Sequence, residues 1–130
     1  MRRVDPPEVF DTRRYGFSQA VVVEAGRRVV LSGQVAVDVH DRTVGRTLRE
    51  QLEQSVENIR LVLGAAGAGL GDVVMLRIYV VEAAADDLSP VSEMLLETFP
   101  DRPPATTWIT VAGLARPDWL VELEAEAALE

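Results

Sequence analysis

The 130-residue sequence contains no cysteine, no lysine and a single histidine. Without cysteine there is no thiolate nucleophile, no disulfide and no zinc–thiolate site. Without lysine, Schiff-base catalysis and a P-loop lysine are also excluded. His40 lies in a polar stretch between two apolar segments, which favours an exposed turn histidine over a catalytic one. We therefore expect no metal site and no cofactor.

Basic residues are scarce: the sequence has 13 basic and 21 acidic residues, which gives a net charge of −8. This balance opposes phosphate binding and hence nucleic-acid partners. No apolar run approaches the roughly 20 residues that span a bilayer, and residues 1–7 lack the hydrophobic segment of a signal peptide. The sequence predicts a cytoplasmic protein that binds neither nucleic acid nor membrane.

Length and composition predict one globular domain covering residues 1–130. Residues 1–15 lack periodicity and are interpreted as an N-terminal arm or short edge segment. Residues 17–23 and 28–32 are typical of a hairpin with its turn at 24–26. Gly33 then interrupts the second strand, either as a plain bulge or as a backbone amide exposed to a ligand.

Thr47 and Glu50 form a predicted capping box at the start of the clearest helix. Its buried stripe is predicted at helical spacing and consists of Leu48, Leu52, Val56, Ile59, Val62 and Leu63. Gly67 is expected to end the helix. The glycine-rich run 64–71 follows a helix and does not open one, so it is not predicted to bind nucleotides.

Residues 72–81 are nearly continuous in apolar residues and predict a central strand. A second helix should begin at Ser89-Pro90 or at Asp86-Asp87. Residues 103–114 and 119–127 then form two predicted paired strands joined by a Pro-Asp turn at 115–118. In the last strand, apolar residues alternate with glutamates, which predicts one apolar and one acidic face.

The order of these elements predicts an α+β domain in which two helices lie on one face of a mixed β-sheet. The opposite face, on which we place Trp108 and Leu120, would be uncovered in a single chain. A partly apolar sheet face of this kind is normally buried against a partner.

Six short segments, in order from about Phe17 to the C-terminus, resemble the signature blocks of the RidA (YjgF, L-PSP endoribonuclease-like) family. They are residues 17–20, 32–34, 53–59, 65–67 with 71–74, 104–106 and 121–125. The resemblance implies a chorismate-mutase-like fold and a homotrimer with a central β-barrel. It also implies three small-molecule sites in the clefts between subunits.

RidA enzymes hydrolyse 2-aminoacrylate-type enamines and imines to 2-oxo acids and ammonia, and an arginine in their Pro-Ala-Arg block binds the substrate carboxylate. This sequence has Thr106 there and therefore departs from the family pattern. The resemblance implies Glu122 as the catalytic, water-handling residue. The implied substrate-binding residues are Phe17 in place of a tyrosine, Ser32, Gly33, Thr106, Thr107, and Trp108 in place of a small residue.

Each of these assignments has a structural alternative. Glu122 belongs to a row of glutamates that could be a solvated face, Trp108 could be interface packing, and Thr106 could be an ordinary strand threonine. Arg102 and Arg116 flank the region and are either surface charges or replacements for the missing guanidinium.

Three functions are compatible with the sequence. The first is a cofactor-free imine or enamine deaminase with altered specificity, acting on a small carbonyl or imine compound. The second is a non-catalytic trimeric binding or regulatory protein. The third, endoribonuclease activity, is disfavoured by the acidic charge and the lone histidine.

Overall fold

The computed structural model describes residues 1–8, 11–24 and 26–130, and only the backbone of Ala20. The predicted arm at 1–15 and the predicted turn at 24–26 therefore include residues outside this description, namely Val9, Phe10 and Ala25. Within the described residues, two α-helices and seven strands follow in the order β1 Arg2–Val4, β2 Ala20–Val22, β3 Arg27–Val30, β4 Gln34–Val35, α1 Leu48–Ala65, β5 Val73–Val81, α2 Ser89–Thr98, β6 Ala105–Val111 and β7 Val121–Leu129.

Helix α1 begins as its sequence predicts, because the Thr47 hydroxyl accepts the amide of Glu50 at 3.2 Å. The other half of the predicted capping box is wrong: the Glu50 carboxylate accepts from the Thr47 hydroxyl at 2.9 Å and not from its amide. Gly67 follows the helix with φ +76, a left-handed conformation that favours glycine, so the predicted stop is confirmed. Val62 is 41% exposed and does not belong to the buried stripe.

The main sheet has the strand order β3-β7-β5-β6, with β4 also paired to β7. Strand β5 runs antiparallel to β7 and parallel to β6, which confirms its predicted central position. Val74, Leu76, Ile78 and Val80, at alternate positions, are at most 8% exposed, as expected for a strand with one face packed on the core.

Both predicted hairpins are wrong. Strand β2 pairs with β1, whereas β3 pairs with β7. Strands β6 and β7 do not pair with each other, because β5 lies between them. Turn residues specify where a chain reverses, but they do not specify which strand becomes its neighbour. Here the apolar strand β5 pairs with both β6 and β7. Residues 112–120 connect β6 to β7 across β5.

The core lies on one side of the main sheet, as predicted. Val121, Leu123, Ala125 and Ala127 of β7 are at most 1% exposed, and they share one cluster with the buried residues of both helices. The intervening glutamates face the other side, which we call the open face. No helix in the described parts of the chain is long and apolar enough to cross a membrane.

Trp108 does not lie on the open face. The β5–β6 register pairs it with Ile78, a fully buried core residue, so Trp108 packs against the core from the helix side. Leu120 precedes β7 and is held by a hydrogen bond from its amide to the Gln51 Oε1 atom at 2.8 Å. The open face carries Arg77, Tyr79 and the glutamates of β7, together with the apolar Val30 and Met75, which both pair with Glu126.

Candidate functional site

Three of the predicted site residues meet at strand β6. The rings of Phe17 and Trp108 have their centroids 5.7 Å apart and their planes inclined by 56°. The Trp108 indole donates from Nε1 to Thr106 Oγ1 at 3.0 Å. All three side chains are half-buried. Together they form what we call the aromatic edge, an uncharged surface on the helix side of the sheet.

The segment around Phe17 packs against the residues just before β6 and against α2. The Ser18 amide donates to the Pro104 carbonyl and the Ser18 hydroxyl to the Pro103 carbonyl, both at 2.8 Å. Gly16 has φ +91 and lies against α2, where an added Cβ would be 2.7 Å from Leu95 Cβ. A glycine is therefore required to bring Phe17 against Trp108.

We expect Gly16→Ala to lower the free energy of unfolding by about 2 kcal/mol, because the left-handed backbone and the contact with α2 both disfavour a Cβ. Urea denaturation followed by circular dichroism measures this loss. Gly64→Ala is the matched control: its added Cβ meets nothing within 4 Å and it lies in α1, so we expect equal or higher stability. Equal stability of the Gly16→Ala variant and the wild type would contradict the expectation.

A second group of predicted residues meets on the open face. A Cβ added to Gly33 would lie 2.7 Å from both Cδ and Oε1 of Glu122. The absence of a side chain at Gly33 is what lets the carboxylate approach the backbone this closely. Ser32 is exposed beside them, and its carbonyl accepts from Gln34 Nε2 at 3.1 Å.

The three glutamates of β7 have different partners. Glu126 accepts from Arg28 at 2.5 Å and from Arg77 at 3.3 Å. Glu124 accepts a hydrogen bond from Tyr79, and this bond, followed by burial and the negative charge of Glu124, raises the pKa of the Tyr79 phenol. Among the described residues, Glu122 has neither a hydrogen bond nor an ion pair. Its half-buried carboxylate is thus free to bind water or a ligand.

The aromatic edge and Glu122 lie on opposite faces of the sheet. Trp108 is level with Ile78 on the helix side, whereas Glu122 is level with Tyr79 on the open face. Thr107 is exposed and pairs with Arg77, so it shares the face of Glu122. A single chain therefore does not bring all the predicted residues into one pocket, and their joint role stays a prediction.

The two arginines considered as replacements for the family arginine lie elsewhere. Arg116 donates to both carboxylate oxygens of Asp41 at 2.6 Å, and its guanidinium lies 4.9 Å from the centre of the Trp119 ring. Arg102 lines a separate cleft of about 160 Å³ beside Phe99. The hydrogen bonds and ion pairs of the described residues bring no guanidinium to Thr106.

Possible metal ligands are not clustered: within the described ranges, no three histidine, cysteine or acidic side chains could hold a metal ion together. His40 is exposed in a turn, and its amide donates to Asp38 Oδ1 at 2.9 Å. This placement agrees with the turn histidine predicted from the sequence.

Two polar residues that position the surrounding loops were not predicted. Gln51 is 1% exposed and donates from Nε2 to the carbonyls of Gly45 and Asp118, at 3.2 and 2.8 Å. Asn58 donates from Nδ2 to the carbonyls of Val35 and Val37, both at 2.9 Å. A usable signal was present for Gln51, which lies three residues after Leu48 of the buried stripe and therefore on the same face of the helix.

Comparison with known proteins gives a consistent result. Residues 12–129 match the family model described as Endoribonuclease L-PSP. The chain is 37% identical over 108 residues to a RutC family protein of Saccharolobus solfataricus, covering 82% of each chain. It is 32% identical over 108 residues to the 2-iminobutanoate/2-iminopropanoate deaminase of Salmonella typhimurium, covering 81% of this chain and 82% of that one.

The fold agrees as well. The crystal structure of YyfB from Yersinia pestis, described as a protein of unknown function of the conserved Rid family, superposes with a TM-score of 0.93. That protein is 35% identical, and the match covers 98% of both chains. From the family match, the two relatives and this fold, we conclude that the chain belongs to the L-PSP endoribonuclease (RidA/YjgF) family.

Proposed function

We propose that the chain assembles into a homotrimer and binds a small carbonyl or imine compound in the clefts between subunits. In this proposal it hydrolyses an imine or enamine without a metal or cofactor. Glu122 positions and deprotonates the attacking water, and the Gly33 amide stabilises the developing negative charge. Water adds to the C=N bond of the imine, or of the imine tautomer of an enamine, and the proton taken up by Glu122 passes to the nitrogen. The resulting carbinolamine then breaks its C–N bond, which gives the carbonyl product and releases ammonia or the amine. We further propose that the protein acts in the cytoplasm.

The observation that carries the proposal is the state of Glu122. Glu126 is paired with Arg28 and Arg77, and Glu124 accepts from the Tyr79 phenol, whereas Glu122 has no partner among the described residues and lies against Gly33. A purely structural acidic row would not require a glycine at this contact. A carboxylate that no described residue pairs with, next to the backbone of an exposed glycine, fits a residue that handles water.

Assembly follows from the placement of the two groups. Because the aromatic edge and Glu122 lie on opposite faces, both can line one cleft only if different copies contribute them. Closed rings of identical subunits form through such head-to-tail contacts. Two relatives of the chain are named 2-iminobutanoate/2-iminopropanoate deaminases, which supports imine hydrolysis as the reaction class.

Altered specificity follows from Thr106. A carboxylate that enters the cleft would find hydroxyl donors but no guanidinium, and loses a charge-assisted contact worth about 1.5–3 kcal/mol. The family model also carries the word endoribonuclease. We do not propose that activity, because a net charge of −8 opposes binding to a phosphate backbone.

Hydrolysis of N-benzylidenemethylamine, an imine without a carboxylate, to benzaldehyde and methylamine tests the proposal by stopped-flow absorbance. We expect the protein to hydrolyse this imine faster than the buffer does, and to accelerate the hydrolysis of 2-iminopropanoate much less. Glu122→Gln should lower the rate of imine hydrolysis about a hundredfold. Glu124→Gln is the matched control, because it makes the same charge change on the same face of β7 and should retain the activity.

Light scattering tests the assembly separately, with an expected mass of three 14.2 kDa chains. Equal rates for the wild type and Glu122→Gln would remove Glu122 from the mechanism. Ligand binding without turnover would favour the alternative, a non-catalytic trimeric binding protein. A monomer in dilute solution would overturn the shared cleft.

A further inference from the structure

The cleft beside Trp108 is uncharged. It lies between the start of α2 and strands β5 and β6, and is lined by Val80, Leu88, Val91, Trp108, Ile109 and Thr110. The aromatic edge continues this lining with Phe17 and Thr106. No acidic or basic side chain belongs to either set.

The space behind the indole is too small for a metabolite. Its volume is about 20 Å³, which is room for one water molecule. A ligand must therefore lie on the outer side of the Trp108 ring. There no further strand from the described part of the chain lies beside β6, which pairs with β5 and, through Ala105, with Ser18. The ligand would meet the face or edge of an aromatic ring.

The polar groups at this position are few. The Thr106 oxygen accepts the indole N–H with one of its two lone pairs, and its own hydrogen is available to donate to a ligand. Thr110 is exposed and lies on the same side of β6 as Thr106 and Trp108. These hydroxyls can bind an acceptor atom of a ligand, but they cannot neutralise a negative charge.

We infer that the ligand is a flat, uncharged compound with a conjugated or aromatic ring, whose carbonyl or imine acceptor bonds to the Thr106 hydroxyl while its ring packs on Trp108. The inference rests on the proposed function for the location of the site. A carboxylate on the same ring would be desolvated against aromatic surface without a counter-charge, which disfavours it. A saturated ring would lose the favourable aromatic geometry.

Three probes of similar size test this by isothermal titration calorimetry on the wild-type protein. Benzamide is the uncharged aromatic probe, benzoate adds the charge, and cyclohexanecarboxamide removes the aromatic ring. We expect benzamide to bind at least about tenfold more tightly than benzoate and about fivefold more tightly than cyclohexanecarboxamide. Equal or tighter binding of benzoate overturns the inference, and so does the absence of benzamide binding.

Two variants, Thr106→Arg and Trp108→Leu, test whether the probes bind at Thr106 and Trp108. The arginine should reverse the preference between benzamide and benzoate, because a guanidinium binds a carboxylate in bidentate fashion. The leucine keeps an apolar side chain but should abolish the preference for benzamide over cyclohexanecarboxamide. Unchanged preferences in either folded variant would place the probes elsewhere and overturn the inference. If a variant does not fold, the wild-type series still decides.

The outcome is independent of turnover. Selective binding of benzamide without imine hydrolysis would uphold the ligand class and reject the proposed catalysis. Imine hydrolysis together with tighter binding of benzoate than of benzamide would uphold the proposed catalysis and reject the ligand class.

Discussion

Replacement of Gln51 by leucine is expected to lower the free energy of unfolding by about 3 kcal/mol. The buried amide makes three hydrogen bonds: two to the carbonyls of Gly45 and Asp118, and one from the Leu120 amide. Leucine has a similar volume, so the expected cost comes from the backbone groups left without partners in a poorly hydrated position.

Urea denaturation of the variant and the wild type measures this difference. Gln54→Leu is the matched control, because Gln54 lies on the same helix and makes one side-chain bond, to Asn58 at 2.9 Å. We expect it to cost about 1 kcal/mol or less. Similar losses in both variants would show that the bonds of Gln51 do not hold the loop before β7.

Loss of the Gln51 hydrogen bonds should also affect the candidate site around Glu122. Gln51 fixes the backbone at Asp118 and Leu120, immediately before the strand that carries Glu122. Loosening this connection should therefore also weaken imine hydrolysis, if the proposed function is correct. The stability measurement itself does not depend on that function.

Leu76→Ala is expected to lower the free energy of unfolding by about 3–4 kcal/mol. Leu76 is completely buried in β5, where it is level with Thr106 on one neighbouring strand and with Ala125 on the other. Truncation removes apolar contacts and leaves a cavity that a central strand cannot close by moving, since it is hydrogen-bonded on both edges.

Leu61→Ala is the control for this substitution. Leu61 is 54% exposed on α1, and alanine is at least as good a helix former. Its expected effect is within about 0.5 kcal/mol of zero. A loss below about 1 kcal/mol for Leu76→Ala would mean that the packing around β5 is looser than the buried core indicates.

The site was predictable in part. Resemblance selected Phe17, Thr106 and Trp108, and the structure does bring these three together. It also selected Gly33 and Glu122, which lie in contact. That the two groups face opposite sides of the sheet was not predictable, because it depends on the register of β6 against β5.

The sequence by itself determined the type and extent of the main elements. The apolar stripe of α1, the continuous apolar run of β5 and the alternation of β7 are all local patterns, and burial of one face follows from them directly. Strand partners were decided only by the tertiary structure. Pairing depends on contacts between residues far apart in the chain, and turn signals at 24–26 and 115–118 carry no information about them. For that reason β5 separates two strands that looked paired, and Trp108 lies against the core and not on the open face.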